Sequence, residues 1–307
     1  MKISIIGAGN VGGLTAMRIS ESNLADVFLV DINENLAKAK AFDIEDGSFF
    51  SFNNKKIIAT ADFSQISDSD IVIITAGFAR QIGMSREDLL KKNFNIVKEI
   101  ANKIKLYCPN CIIIVVTNPV DIMSYVVLKE TGFKRKKVFG MGASLDSWRF
   151  SNLISKRLAV SISKAKGLVI GAHGDKMLPL PRLSKVNNRP LDKILSKQQI
   201  AELVDMAKNR GSEIVSLYGS GSAYFAPSRA ILAICQAIIY NRDSKIPISA
   251  YLDGEFGVKD VCIGVLAKID KDGIHQIVDL KLKEDEQKLF LEAVSSLKQN
   301  IRLLYPH

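Results

Sequence analysis

The sequence has no hydrophobic run long enough to cross a lipid bilayer. Apolar runs such as 71–74 and 112–116 hold only four or five residues, whereas a membrane-spanning helix needs roughly 20. The first residues, MKISIIGAG, reach glycines at once, without the charged, apolar and cleavage regions of a secretory signal peptide. The sequence therefore predicts a protein with no membrane span, and we expect it in the cytoplasm.

Cysteine is also scarce, with four residues in the chain. Cys108 and Cys111 form one C-x-x-C pair, a spacing that is compatible with a redox pair or half of a metal site. Cys235 and Cys262 have no neighbouring cysteine or histidine in the sequence that would complete four zinc ligands. We therefore expect no metal. The simplest interpretation of the pair is two reduced thiols, at the end of a helix and the start of a buried strand.

Acidic residues are outnumbered by basic ones, 32 to 42, which gives a formal net charge of +10. The basic residues are spread along the chain, and the one dense cluster, 134–137, belongs to no recognised nucleic-acid-binding motif. We expect no nucleic-acid partner. A positive field of this kind still steers an anionic small molecule toward its site.

The hydrophobic pattern predicts two α/β parts. A chain of 307 residues corresponds to roughly two domains of about 150 residues. In the first part, short buried-strand patterns alternate with helical ones, which predicts a doubly wound parallel sheet. From about residue 143 long helices mix with strands, which predicts a mixed α/β catalytic domain. We expect the division to fall between 1–142 and 143–307. The predicted strands are 2–6, 27–30, 57–60, 71–74, 112–116, 138–141, 165–170, 261–267 and 274–278. The predicted helices are 34–42, 86–106, 120–131, 145–158, 197–217, 225–240 and 283–304.

The motif GAGNVG, residues 7–12, follows the first predicted strand and begins a helix. Gly7 permits the tight turn, Gly9 lets backbone N–H groups approach a pyrophosphate, and Gly12 lets the helix pack against the strand. Asp31, at the end of the second strand, is placed to accept hydrogen bonds from ribose hydroxyls and to repel a 2′-phosphate. A glycine turn without a ligand is the alternative. The combination predicts a Rossmann domain that binds NAD in preference to NADP.

The segment TAGFARQIGMSREDLLKKN, residues 75–93, follows the fourth predicted strand, where ligands bind in this type of sheet. Gly77 and Gly83 give it the flexibility of a lid, and Arg80 and Arg86 supply two guanidinium groups. An exposed basic loop is the ordinary alternative for such a segment.

A third group of residues combines an acid, a base and a cation. Asp146 and Arg149 are three residues apart and share one face of a predicted helix, although a simple ion pair has the same spacing. His173 lies between glycines after a strand, whereas His275 and His307 occupy less suggestive positions. A histidine that an aspartate can orient is the usual acid/base device near neutral pH.

Together these motifs resemble the lactate/malate dehydrogenase family over essentially the whole sequence. The shared order is GAGNVG, the acidic Asp31, the 75–93 segment, VTNPVD at 116–121, a D-S-x-R helix and GAHGD. The resemblance implies that His173 donates and accepts the proton and that Asp146 orients it. It also implies that Arg149 binds the substrate 1-carboxylate and that Arg86 polarises the reacting carbonyl.

The resemblance also assigns the remaining site residues. The substrate-binding residues that it implies are Arg80, Arg86, Arg149, Asn118 and Ser222. The residues expected at the cofactor NAD are Gly7, Gly9, Asn10, Val11, Gly12, Asp31, Thr75, Ala76, Gly77, Asn93, Val116 and Asn118.

Arg80 bears on the choice of substrate. Six residues before the carbonyl-polarising arginine, the family usually has an uncharged residue in lactate enzymes and arginine in malate enzymes. A guanidinium there neutralises the second carboxylate of oxaloacetate, but beside the methyl group of pyruvate it stays buried and unpaired. The small residues 221–223 leave room for a dicarboxylate. The resemblance therefore implies reversible hydride transfer between malate and oxaloacetate, a reaction of the tricarboxylic acid cycle.

Other interpretations remain open. Many malate enzymes have Lys-Pro where this lid has Gln81 and Ile82, which leaves the stiffness of the lid in question. An L-lactate or other 2-hydroxy-acid dehydrogenase is the nearest alternative, and an NAD-dependent glycosidase or a non-catalytic NAD sensor is a more distant one. The segment 251–268 resembles the lactate-dehydrogenase-like branch of malate enzymes, which implies a homotetramer or a homodimer.

Overall fold

The computed structural model describes residues 1–47, 54–78 and 85–305, except the side chain of Arg86. In the first half, strands and helices alternate, and every strand pair formed there is parallel. The strands are β1 (Lys2–Ile6), β2 (Asp26–Val30), β3 (Ile57–Thr60), β4 (Ile71–Ile74), β5 (Ile112–Val115) and β6 (Val138–Gly140). The helices are α1 (Asn10–Glu21), α2 (Glu34–Gly47), α3 (Arg86–Tyr107) and α4 (Val120–Thr131).

The parallel strands are arranged in the order β3-β2-β1-β4-β5-β6. All residues of β4 and β5 are buried, because helices cover both faces of such a sheet and near-continuous apolar strands are stable only there. The chain builds the sheet outward from β1 in one direction and from β4 in the other. The predicted doubly wound Rossmann sheet is therefore confirmed, with its crevice at the carboxyl ends of β1 and β4.

The second half extends the same sheet with antiparallel strands. Strand β12 (Ser244–Asp253) joins this sheet by pairing Ser249 with Gly140 of β6. The order then continues with β13 (Lys259–Asp270), β8 (Val169–Gly171) and β9 (Met177–Pro179), and β14 (Gly273–Ile277) also pairs with β13. Three short strands, β7 (Ala165–Lys166), β10 (Lys185–Val186) and β11 (Arg189–Pro190), form a separate sheet in the order β11-β10-β7. The helices are α5 (Gly142–Arg157), α6 (Lys197–Tyr218), α7 (Phe225–Ile239) and α8 (Glu284–Leu304).

One large hydrophobic core joins the two halves, and a smaller cluster lies around α5 and α6. The large core contains Ile3 and Ile114 from the parallel strands together with Ile263 and Phe290 from β13 and α8. The smaller cluster is centred on Phe150 of α5. The shared core fixes the carboxyl ends of the parallel strands relative to the elements of the second half. In the described part of the chain, no helix is both long and apolar enough to cross a membrane.

The predicted strand over 165–170 is wrong as a single element. It divides into β7 and β8, because the backbone N–H groups of the two residues between these strands bond to serine hydroxyls and not to a neighbouring strand. The Ser151 hydroxyl accepts the Gly167 N–H at 2.8 Å, and the Ser184 hydroxyl accepts the Leu168 N–H at 3.0 Å. The sequence pattern reports the apolar residues of this segment, but it does not report hydrogen bonds from serine residues elsewhere in the chain.

Candidate active site

The glycine turn between β1 and α1 is held by close backbone contacts. Gly7 has a φ of 108°, and its N–H donates to the Val30 carbonyl oxygen at 2.7 Å. A Cβ atom on Gly12 would lie 1.8 Å from the Gly7 carbonyl oxygen, so only glycine allows α1 to start this close to β1. Gly9 differs, because a Cβ atom there would meet nothing within 4 Å.

The open space at Gly9 lies at the amino end of α1. Gly9 precedes the helix and offers no side chain to cap it, and the first helical residue, Asn10, is exposed. The helix therefore presents uncapped N–H groups and the positive end of its dipole to this space. The turn fits the pyrophosphate of a dinucleotide, which is the group that such a helix start binds.

Asp31 follows β2 and lies directly beside the glycine turn. Its carboxylate accepts the Ala8 N–H at 2.6 Å and the Asn33 N–H at 2.9 Å, which fixes the orientation of both oxygens. Each carboxylate oxygen has a further lone pair for a ribose hydroxyl. Lys40 is a neighbour that the sequence did not reveal. Its ammonium group donates to the Gly9 carbonyl oxygen at 2.9 Å, and burial lowers its pKa despite the attraction of Asp31.

The segment after β4 closes the other side of the crevice. The Thr75 hydroxyl donates to the Gly7 carbonyl oxygen at 2.9 Å, and the Ala76 N–H donates to the Ile6 carbonyl oxygen at 2.8 Å. A Cβ atom on Gly77 would lie 2.5 Å from the Thr117 methyl group. These contacts fix the start of the predicted lid against the glycine turn.

Asn93, on α3, was expected at the cofactor, and the structure places its side chain in a backbone clamp. Its amide oxygen accepts the Phe78 N–H at 2.7 Å. Its amide nitrogen donates to the Phe78 carbonyl oxygen at 3.2 Å and to the Asn118 carbonyl oxygen at 2.7 Å. The side chain thus joins the segments after β4 and β5, while the Val116 N–H donates to the Ile74 carbonyl oxygen at 2.9 Å.

His173 and Asp146 form the central pair of the site. The imidazole Nδ1 lies 2.7 Å from the Asp146 Oδ2. Asp146 is 1% exposed and the His173 side chain 18% exposed, so the carboxylate is hidden while the ring remains accessible. Burial alone would lower the pKa of His173, but the charge and hydrogen bond of Asp146 outweigh it, and the pKa is raised. The pair therefore favours an imidazolium whose Nε2 is the nitrogen not bonded to Asp146.

Arg149 lies one turn further along α5, on the same face as Asp146. Its Nη1 is 3.7 Å from the Asp146 Oδ1, too long for a good hydrogen bond. The Arg149 Nε and the Asp146 Oδ1 are both buried without a hydrogen-bond partner among the described residues. Burial lowers the pKa of Arg149, with Asp146 opposing the shift. A mostly buried guanidinium with a free N–H is prepared to receive an anion.

Asp121, on α4, is a buried acid to which the sequence analysis gave no role. One carboxylate oxygen accepts the Ser249 hydroxyl at 2.6 Å, and the other accepts the backbone N–H of His173 at 2.8 Å. Burial raises its pKa to about 6. The VTNPVD motif was the available signal, because it contains this residue, but the partner Ser249 is 128 positions away and could not be inferred.

These elements surround a cavity of about 600 Å³. His173, Arg149, Asn118 and Ser222 from the predicted site line it. The predicted cofactor residues Val11, Thr75, Gly77 and Val116 also line it. Asp146 lies behind His173. Arg80, with the lid positions Gln81, Ile82 and Gly83, lies outside the described residues, as does the side chain of Arg86. In the described ranges, no group of three or more His, Cys, Asp or Glu residues could hold a metal ion.

The fold and the cavity are those of a dinucleotide-binding protein in which a histidine, paired with a buried aspartate, lines the cavity. Family models match both halves of the chain. They are described as "lactate/malate dehydrogenase, NAD binding domain" over residues 1–140 and "lactate/malate dehydrogenase, alpha/beta C-terminal domain" over residues 143–305. The chain belongs to the lactate/malate dehydrogenase family.

Several individual proteins are similar along their whole length. A malate dehydrogenase from Methanosarcina acetivorans is 42% identical over 303 residues, covering 99% of both chains. The apo structure of malate dehydrogenase from Picrophilus torridus has 40% identity and a TM-score of 0.94, covering 98% of this chain and 96% of its own. A lactate dehydrogenase from Cryptosporidium parvum, complexed with lactic acid and the nicotinamide cofactor, has 35% identity and a TM-score of 0.96, covering 100% and 98%.

Proposed function

We propose that this chain is an NAD-dependent malate dehydrogenase that interconverts malate and oxaloacetate. The observation that carries the proposal is the His173–Asp146 pair at 2.7 Å. Its histidine lines one cavity with Arg149, beside a turn suited to a dinucleotide. The similarity to malate dehydrogenases over nearly the whole chain supports the same activity.

The acid/base step follows from the geometry of the pair. NADH, when bound, supplies the hydride that reduces the carbonyl carbon of the substrate. His173 donates a proton from Nε2 to the carbonyl oxygen, so that no alkoxide is left behind. Asp146 stabilises the imidazolium before transfer and keeps the ring oriented after it, in the manner of a buried carboxylate behind a catalytic histidine. In malate oxidation the neutral imidazole accepts the proton instead.

Three arginines bind the substrate in this proposal. Arg149 binds the 1-carboxylate through its fork of N–H groups, since the buried Nε lacks a partner. Arg86 polarises the reacting carbonyl, and Arg80 pairs with the distal carboxylate. Asn118 and Ser222 complete the substrate site from the wall of the cavity.

In this proposal, the first half of the chain binds the cofactor and the second half carries the acid/base pair. Residues 1–142 bind NAD through the glycine turn, Asp31 and the segments after β4 and β5. Residues 143–307 supply the acid/base pair and Arg149. Asn93 contributes by holding Phe78 and Asn118 in place.

We also propose a cytoplasmic homodimer or homotetramer that acts in the tricarboxylic acid cycle. Large apolar side chains are exposed on the single chain, among them Ile162 (54%) and Trp148 (37%), which share the wall of one cavity, and contiguous exposed apolar surfaces are typical of subunit interfaces. Light scattering after size exclusion measures the mass in solution, and a monomer at micromolar concentration contradicts this part of the proposal.

The choice between malate and lactate is tested at Arg80. Arg80→Gln removes a charge-assisted bond, worth roughly 1.5–3 kcal/mol, to the second carboxylate of oxaloacetate. The same change spares pyruvate a buried, unpaired guanidinium. We therefore expect the ratio of kcat/KM for oxaloacetate to that for pyruvate to fall by about 10²-fold. Steady-state oxidation of NADH with each substrate measures the ratio.

Two further variants give the control. Arg86→Gln lowers kcat for both substrates, because the carbonyl is common to them, and Arg189→Gln, on the exposed β11, changes neither. Wild-type turnover of pyruvate that equals turnover of oxaloacetate would favour a lactate or broad 2-hydroxy-acid dehydrogenase. No turnover of either would favour a binding protein.

A further inference from the structure

Cys108 and Cys111 lie on the two sides of a tight turn. Cys108 caps the carboxyl end of α3, Pro109 and Asn110 form the turn, and β5 starts directly after Cys111. The Cys111 N–H donates to the Cys108 carbonyl oxygen at 3.5 Å. A turn of this kind keeps its first and fourth Cα atoms within about 7 Å, which overlaps the range of roughly 4.4–6.8 Å that a disulfide spans.

The two thiols differ in their access to solvent. Both are buried, with 3% of Cys108 and 1% of Cys111 exposed. A cavity of about 570 Å³ lies against Cys108 and is lined also by Asp68, Lys137 and Lys271, whereas Cys111 is not part of its wall. Of the two cysteines, Cys108 is therefore the one beside this cavity, and its thiol donates to the Ser69 carbonyl oxygen at 3.3 Å.

The two thiols also differ in pKa, and Cys108 has the lower pKa of the two. A hydrogen bond from Cys111 lowers the pKa of Cys108, against the opposing effect of burial, and Lys2 adds to the lowering while Asp68 opposes it. The same hydrogen bond, together with burial, raises the pKa of Cys111. Cys108 is thus the better nucleophile, because the thiolate is the reactive form, and Cys111 keeps its proton for a second step.

We propose that Cys108 and Cys111 form a peroxide-reactive dithiol that closes to a reversible intrachain disulfide. The Cys108 thiolate attacks one oxygen of hydrogen peroxide, the O–O bond breaks, and hydroxide leaves and takes up a proton to become water. The Cys111 thiol then attacks the resulting sulfenic acid of Cys108. The S–S bond forms as the S–O bond breaks, and the hydroxyl group leaves as a second water with the proton of Cys111.

This site is separate from the dehydrogenase cavity. Cys111 precedes β5, at the amino edge of the parallel sheet, whereas His173 and the glycine turn lie at the carboxyl edge. Neither cysteine lines the catalytic cavity. The proposal therefore does not depend on the proposed function, and the melting temperature serves as the measure of folding in the variants.

Mass spectrometry of peroxide-treated protein tests the proposal. The reduced protein, freed of reductant, is treated with a small molar excess of hydrogen peroxide and then alkylated in denaturant. We expect two alkylated cysteines instead of four. The tryptic peptide 106–129, which contains both Cys108 and Cys111, should be lighter by two hydrogens than its unalkylated reduced form. Dithiothreitol should restore four alkylations.

Single variants separate the roles of the two thiols. In Cys111→Ser, dimedone should label the trapped sulfenic acid on Cys108, and in Cys108→Ser, Cys111 should stay unoxidised. Cys235→Ala and Cys262→Ala are matched controls, because both thiols are buried, and both variants should still form the 108–111 disulfide. Four alkylations after peroxide, irreversible over-oxidation of Cys108 in the wild type, or oxidation confined to Cys235 or Cys262 would each overturn the proposal.

Discussion

Asp146→Asn removes one charge from the His173 pair with almost no change in shape. The imidazole Nδ1 lies 2.7 Å from a carboxylate that is 1% exposed, so water screens the interaction little. A hydrogen bond to a charged group is worth about 1.5–3 kcal/mol, and two unit charges about 4 Å apart interact by ~4 kcal/mol at an effective dielectric constant of 20. The imidazolium should therefore lose about 2–4 kcal/mol of stabilisation.

This loss predicts both a slower reaction and a shifted pH profile. At about 1.4 kcal/mol per factor of ten, kcat for oxaloacetate reduction at neutral pH should fall roughly 30- to 10³-fold. Asp146 raises the pKa of His173, so reduction is supported below that pKa and declines as the pH rises through it. Without the negative charge of Asp146, the pKa of His173 falls. The alkaline limb of reduction should move to lower pH, and malate oxidation should persist to lower pH.

Initial rates of NADH oxidation with oxaloacetate, from pH 5 to pH 9, measure both effects. Asp272→Asn, in the exposed turn between β13 and β14, is the matched control and should leave kcat and the profile unchanged. Thermal denaturation of each variant shows that the fold is intact. If Asp146→Asn keeps the wild-type kcat and the wild-type pH limb while chemistry limits the rate, Asp146 is not the partner that charges His173.

Three further outcomes follow from the site. His173→Asn should lower kcat at least roughly 10²-fold with an unchanged melting temperature, since it removes the proton donor; full activity would exclude the residue from the mechanism. NADH should be used much better than NADPH because Asp31 repels a 2′-phosphate, and equal kcat/KM values for the two would contradict that role. Gly9→Ala should weaken NADH binding without loss of stability. Gly12→Ala, whose Cβ atom would lie 1.8 Å from a carbonyl oxygen, should destabilise the fold by about 1–3 kcal/mol. Fluorescence titration measures NADH binding and melting curves measure stability, so together they distinguish the two glycines.

The sequence predicted the parallel sheet closely because its signal is local. The strands β1, β3 and β4 have the predicted bounds, since buried parallel strands are short, continuous apolar runs between turns. The long strand β12 was not predicted. It contains Pro247, which usually argues against a central strand. Pro247 is tolerated because Ser249 is the one residue of β12 that pairs with β6, so the start of the strand has no ladder partner on the β6 side.

Sequence motifs predicted the site residues that lie within them. They could not predict contacts between residues that are distant in the sequence. His173 and Asp146 could be proposed as a pair because each lies in a recognisable segment. Asp121 lies in the VTNPVD motif, but its role and that of Lys40 depend on a Ser249 hydroxyl and a Gly9 carbonyl that only folding brings near. Asn93 was assigned to the cofactor from its motif, but its three hydrogen bonds to backbone show a clamp between two loops.

The least satisfied polar atoms of the described core lie where the substrate is expected. The Arg149 Nε and the Asp146 Oδ1 are buried without partners, and an unsatisfied buried polar group costs about 1–3 kcal/mol. A core selected for stability alone would not keep both. In the proposed complex the substrate carboxylate gives the Arg149 Nε a partner, so the cost of leaving that group unpaired is recovered on binding. The Asp146 charge then acts on the imidazolium of His173 alone, which supports the protonation state that the proposed reduction requires.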